Sequence, residues 1–306
     1  MPSGLIPGWY ILLYHDVSWE ETPFVRHIGG TCPPDVFRDH LLACKRLGTL
    51  VSVQEGTARF MSGTVSSPLF SFWFDDGFVG VRKYAMPILA DHGVTGATSI
   101  CSRFIRRTEM FWRFKLSYLH SIDAGRHLRA RLRPLGFSMS AGVRYFSMDR
   151  FGLDVLSIID TLYDKAVPTA MRDDAFRLFE TPDGVRELYS KGWVVANHSA
   201  AHYPIGEKHV NHMLMDQFDE CASWIQAVTG VDCNYWVFPF SRNIDPASIT
   251  TIRNRYPEKI IVYVGDVVNL PLGFGDKRIL HRIRAPANDR DRLEVTLFAA
   301  SQRANN

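Results

Sequence analysis

The chain is 306 residues long, 46% hydrophobic, and carries a formal net charge of +3. That is enough apolar material for one large α/β domain, or for one domain with an insertion. The near-neutral charge argues against a nucleic-acid partner, and no run of 18 apolar residues offers a membrane span.

Met1 to Trp9 shows no basic segment followed by an apolar run, so no export signal is read there and the expected location is the cytoplasm. Trp9 to Tyr14 is a compact apolar run, predicted as a first strand that delivers His15 and Asp16 at its end. Pro34 to Gly48 has helical apolar spacing, and Thr49 to Val53 reads as a short strand. Pro68 to Phe74 is an almost unbroken apolar and aromatic run, the pattern of a strand buried on both faces. A helix from Val79 to His92 and a strand from Val94 to Ile100 follow. The alternation implies parallel strands covered by helices.

The rhythm breaks near residue 102. From Arg103 to about Glu180 the sequence reads as moderately amphipathic helices, an insertion within a single domain that spans 1–306 and a possible lid over the site. Residues 101–150 hold eleven Lys or Arg against three acids, among them Arg103, Arg106, Arg107, Arg126, Arg129, Arg131 and Arg133. Such a run is most often a solvated helix face, and the functional alternative is a lid that meets an anionic substrate. The alternation then resumes: helix 182–191, strand 192–196, a long helix from Glu207 to Val228, strand 233–238, helix 247–255, strands 259–264 and 278–283, and a last helix from Asp289 to about Ser301. The cysteines at 32, 44, 101, 221 and 233 show neither disulfide pairing nor Cys-x-x-Cys metal spacing.

Asp75 and Asp76 stand where the central buried strand ends. Two like charges brought together out of water need a compensating cation or proton, although Asp-Asp-Gly is also an ordinary solvated turn. His198 and His202 lie four residues apart beyond another strand end, where one helical turn sets both imidazoles on one side. Pro204 limits that segment to a single turn or loop. His15, Asp75, Asp76, His198, His202 and Phe240 all fall just past strand C-termini, the face on which parallel barrels carry their chemistry. A carboxylate with two neutral imidazoles suits a borderline cation such as Zn²⁺.

Phe-Asp-Asp-Gly at 74–77, His-Ser-Ala-Ala-His at 198–202 and the Tyr14-His15 opening resemble the polysaccharide deacetylases of carbohydrate esterase family 4, over about residues 9–100 and 182–300. The resemblance implies a distorted (β/α) barrel of seven strands and a metal-dependent N-deacetylase. By motif position Asp75 is expected as general base, and Asp76, His198 and His202 as ligands of a divalent ion, expected to be Zn²⁺. The backbone N–H of Phe240, after Pro239, is the expected oxyanion donor, with Trp73 and Pro239 on the substrate side. Many members carry an arginine two residues before the motif proline to steady the base. Val237 stands there in this chain, and His15 is the candidate to take over. Leu280-His281 fits the outline of the family's histidine acid, while Arg282-Ile283-Arg284 resembles an ending in which no histidine serves.

The expected substrate is an N-acetylated amino sugar, as a small glycoside or linked to a nucleotide or lipid, in antibiotic or surface-glycan biosynthesis. A metal-dependent hydrolase of a non-sugar amide and a metal-free sugar-binding protein are the alternatives. The oligomeric state is not read from the sequence.

Overall fold

In a computed structural model of the chain, residues 4–122, 125–135, 153–204, 214–240, 246–271 and 276–304 are described. The apolar runs form strands as their sequences predict. β1 is Gly8–Tyr14, β2 Asp16–Val17, β3 Thr31–Cys32, β4 Thr49–Leu50, β5 Pro68–Phe74, β6 Ala97–Ile100, β7 Val194–Asn197, β8 Tyr235–Val237, β9 Ile260–Val264 and β10 Ile279–Arg284. Seven of them close a parallel barrel in the order β1-β5-β6-β7-β8-β9-β10, with β10 returning to β1 and β4 added along β5. This is the seven-stranded (β/α) barrel that the sequence motifs imply.

Side-chain alternation divides each strand between two cores. Ile11, Leu69, Trp73, Ala97, Ala196, Val237, Val262 and Leu280 meet in one cluster that draws on every barrel strand and so fills the interior. Tyr10, Leu12, Tyr14, Phe70, Phe72 and Phe74 point the other way and pack under the outer helices. The interior carries polar clamps as well: the Trp9 indole donates to Ser71 Oγ at 2.9 Å, and the Trp73 indole to Ser99 Oγ at 3.2 Å. All five cysteines are buried and unpaired.

Outside the barrel run helices Pro34–Leu47, Val53–Ser62, Pro182–Ser190, Glu220–Thr229, Pro246–Arg255 and Leu293–Arg303. Between β6 and β7 the insertion supplies helices Ser102–Ile105, Trp112–Ser121, Gly125–Leu132, Leu153–Ala166 and Thr169–Phe176. Its aromatic residues do not stop at its own border. Phe78, just after the paired aspartates, stacks on Phe179 at 5.5 Å and tilts against Phe114 at 5.8 Å, and Phe104 and Phe114 also contact Phe179. Among the described residues no helix is long and apolar enough to cross a membrane.

Candidate metal centre

The turn after β5 presents two carboxylates at the barrel mouth. Asp75 extends the pairing with β1 through its N–H to Tyr14 O at 3.0 Å. Asp76 then adopts a left-handed backbone, φ 72°, and Gly77 repeats it at φ 74°. A left-handed conformation costs a non-glycine residue on the order of 1–2 kcal/mol, so the surroundings must hold it. They do so from the far end of the insertion: Glu180 N donates to Gly77 O at 2.8 Å and Val79 N to Leu178 O at 2.9 Å.

The two histidines arrive on a loop rather than a helical turn. His198 N donates to Ile100 O at 3.0 Å, Ser199 and His202 take positive φ, and the loop is tied down at successive residues. Asn197 Oδ1 accepts from Ser199 N, Ser199 Oγ from His202 N, and Gln217 Oε1 from Ala201 N. The insertion braces it again, since Arg103 N donates to Ala200 O at 3.0 Å and the Trp112 indole to His202 O at 3.3 Å. His198 Nδ1 donates to Val237 O at 2.8 Å, which fixes the tautomer and leaves Nε2 with its lone pair toward Asp76.

Asp76 Oδ1 lies 3.4 Å from His198 Nε2 and 3.3 Å from His202 Nε2. Two donors bound ~2.0–2.1 Å from one tetrahedral ion stand about 3.3–3.4 Å apart, a separation longer than a good charged hydrogen bond. All three residues are buried, and Asp76 Oδ1 has no hydrogen-bond partner. A buried carboxylate oxygen left unbonded is costly unless a cation takes it up. Burial alone pushes the Asp76 carboxyl up, but the imidazoles of His202, His198 and His15 outweigh it and hold the group well below the usual carboxylate range. Burial drives the His202 imidazole down to about 3, opposed only in part by Asp76, so it is neutral with its lone pair available. The residues present therefore fit a divalent cation of the zinc type.

Asp75 has other company. Arg282 Nη1 donates to its Oδ1 at 2.5 Å, the Ser99 hydroxyl donates to the same oxygen, and Oδ2 stands 3.7 Å from His198 Nε2. Burial raises the Asp75 carboxyl, but the Arg282 guanidinium and the His198 imidazole prevail and keep it ionised. One oxygen is thus engaged by the protein while the other faces the ligand cluster. Arg282, buried on β10 with its guanidinium 5.7 Å from the Trp73 ring, occupies the steadying role for which His15 was the candidate.

Other expectations are corrected. His281 neighbours Arg282 on β10 and therefore points to the opposite face, where its ring packs on Tyr263 at 4.6 Å and against Gly265. It does not reach the cluster, which removes its basis as the acid. Trp73 is wholly buried within the barrel with its indole N–H committed to Ser99, which removes its basis as a substrate contact, and Pro239 is buried beside Phe240. Phe240 closes β8 in a left-handed conformation, φ 52°, with its ring 4.7 Å from that of His202. His15 is half-buried at the end of β1, its ring down-shifted by burial and held partly up by Asp76 and Asp75.

A family model described as polysaccharide deacetylase matches residues 62–254. Among solved structures, IcaB from Ammonifex degensii is similar over 97% of this chain and 97% of its own, with TM-score 0.58 and 14% identity. The de-N-acetylase from Aggregatibacter actinomycetemcomitans is similar over 92% and 95%, with TM-score 0.57 and 16% identity. Streptococcus pyogenes PplD, solved in complex with acetate, is similar over 96% and 98%, with TM-score 0.59 and 12% identity. At these identities the likeness is one of fold. No curated protein matches the chain in sequence.

Proposed function

The chain belongs to the polysaccharide deacetylase family, and from that membership we propose that it is a metal-dependent N-deacetylase that releases acetate from an N-acetylated amino sugar. The observation that carries the reading is the division of labour between adjacent aspartates: Asp76 Oδ1 is buried among two imidazoles, whereas Asp75 is held ionised by Arg282 with one oxygen toward the same cluster.

Asp76, His198 and His202 would hold the ion, which when bound polarises the acyl oxygen and makes the attacking water more acidic. Asp75 Oδ2 accepts the water's proton while Arg282 and Ser99 fix the carboxylate plane through Oδ1. Phe240 lends its backbone N–H to the developing oxyanion. With His281 turned away and His15 lowered by burial, the proton that Asp75 takes from the water is the one available to the leaving amine.

The test is acetate release from a panel of acetamido sugars by zinc-loaded protein, by chelator-dialysed protein and by Asp75→Asn. Release that depends on both zinc and Asp75 is expected. Release of an acyl group only from non-sugar amides would move the substrate class, and full activity after verified metal removal would overturn the metal-dependent reading.

A further inference from the structure

Residues 125–135 hold four arginines and no acid, in a chain whose formal net charge is +3. This one segment more than accounts for that charge, so the rest of the chain has no basic excess. Its helix, Gly125–Leu132, is anchored by Leu128 and Leu132, both wholly buried in the core that the insertion shares with the barrel. With that face inward, Arg129, Ala130, Arg131 and Arg133 are exposed. Arg129 and Arg133, four residues apart, share one flank, and Arg131 stands on the other.

Many exposed arginines elsewhere face an acid, as Arg46 does Glu294, Arg59 does Glu55, Arg177 does Asp174 and Arg290 does Asp35. Arg126 is engaged as well, but Arg129, Arg131 and Arg133 pair with no acid among the described residues. Three like charges on one short helix repel one another, so the fold gains nothing from them. They spread over two flanks instead of converging on a pocket, and their complement is therefore an extended anionic surface. Ile122, which closes helix Trp112–Ser121 three positions before the basic helix begins, is 42% exposed. An uncovered aliphatic side chain beside a cationic helix fits the headgroup boundary of a bilayer, where arginine stems lie along apolar surface and their heads meet lipid phosphates. A nucleic acid offers phosphates too, but residues 125–135 carry no Phe, Tyr or Trp on which bases stack, and Ile122 gains nothing there.

Helix Trp112–Ser121 begins where the Trp112 indole holds the His202 carbonyl and ends at Ile122; its ten residues span about 15 Å. The basic helix is thus one short helix away from the Asp76, His198 and His202 cluster. We propose that helix Gly125–Leu132, with Arg133, docks the protein on an anionic phospholipid bilayer, Arg129, Arg131 and Arg133 meeting the phosphates and Ile122 entering the headgroup boundary. Building on the deacetylase reading, the docked enzyme meets an amino sugar carried on a lipid.

Vesicle sedimentation tests the docking apart from the reaction. Zinc-loaded parent is spun with vesicles of phosphatidylcholine alone and of phosphatidylcholine mixed with phosphatidylglycerol. Binding to the anionic vesicles only is expected, and it should fall as salt rises, because exposed charges are screened over ~10 Å at 0.1 M ionic strength. Arg129→Gln, Arg131→Gln and Arg133→Gln combined should weaken the partition on the order of 100-fold, about fivefold for each arginine near an anionic surface. Lysine at the same three positions should keep most of it, and Arg177→Gln, which removes an acid-paired arginine, should leave it unchanged. Arg131→Gln alone, with its loss of about fivefold, decides if the triple variant does not fold. Equal binding to both vesicles, no binding, binding that survives the glutamines, or tighter binding to a DNA duplex than to anionic vesicles overturns the proposal. A failure of the deacetylase reading shows separately, as absence of acetate release from a soluble acetamido glycoside by the parent while vesicle binding stands.

Discussion

Asp75 and Asp76 are adjacent in sequence and opposite in chemistry, because one is neutralised by Arg282 from within the chain and the other is left with imidazoles alone. Asp75→Asn is expected to retain zinc by elemental analysis and to lose ~10²–10⁴-fold in kcat, the usual contribution of a positioned base. Arg282→Gln removes what keeps the Asp75 carboxyl low, so its pKa rises and the acid limb of the kcat/KM profile should move to higher pH. A pH–rate profile unchanged by that substitution would remove Arg282 from the mechanism. Asp16 offers a test away from the chemistry. Its carboxyl is buried, Oδ1 has no hydrogen-bond partner, and burial pushes it up to about 7 from an unfolded value near 3.8. The folded state therefore holds this proton more tightly, and stability from the group is complete below about pH 4 and lost as pH rises toward 7, by roughly 2–4 kcal/mol. Melting temperatures of the parent should fall more steeply from pH 4.5 to 7.5 than those of Asp16→Asn. The aspartates and the two histidines were legible in sequence because each follows a recognisable strand end. His281 and Arg282 are not told apart by sequence, which allows either a histidine acid there or an ending in which no histidine serves. Whether a strand residue faces in or out depends on register, and only the counterion 207 residues away shows that the arginine is the inward one.

At the scale of elements, the histidine loop depends on the insertion more than on the barrel. The Trp112 indole and the Arg103 amide hold its carbonyls, Phe111 packs on His202 at 4.8 Å, and Tyr203 donates to Glu109, which Arg103 also holds. Trp112→Phe keeps the ring and deletes the N–H. It should weaken zinc binding roughly tenfold in a chelator competition, the lower range for loss of an outer-shell partner, while Arg106→Gln should leave it unchanged. Most strands and helices stand where their apolar spacing predicts. The exceptions have physical causes. Helix Val53–Ser62 escapes the pattern because Gly56 is its contact with the barrel: a Cβ there would come within 2.4 Å of the Trp9 ring. The expected helix from Glu207 is described only from Leu214, as a π-helical turn leading into Glu220–Thr229, and its first residues lie outside the described ones. The helical turn expected at His198 to His202 gives way to a loop because Ser199 and His202 take left-handed backbone there.

Across the whole molecule the insertion and the barrel share one aromatic core, with Phe78 of the barrel turn seated among Phe114 and Phe179. Heating should therefore unfold both in a single transition, with tryptophan fluorescence and far-ultraviolet dichroism coincident, and replacing residues 106–176 with a short Gly-Ser linker should abolish zinc binding along with the fold. Two separated transitions would show that the insertion is an independent lid. Barrel closure has a further consequence for how the protein comes into being. β1, made first, finds its second neighbour only in β10, and the counterion of Asp75 is carried by that same last strand. A nascent chain that has emerged only as far as β9 has a gap in its sheet, an edge open to stray pairing and a buried carboxylate without its guanidinium. Completion of the barrel is thus withheld until translation has passed residue 284, and an unfinished or C-terminally clipped copy lacks both the closing strand and the counterion of Asp75.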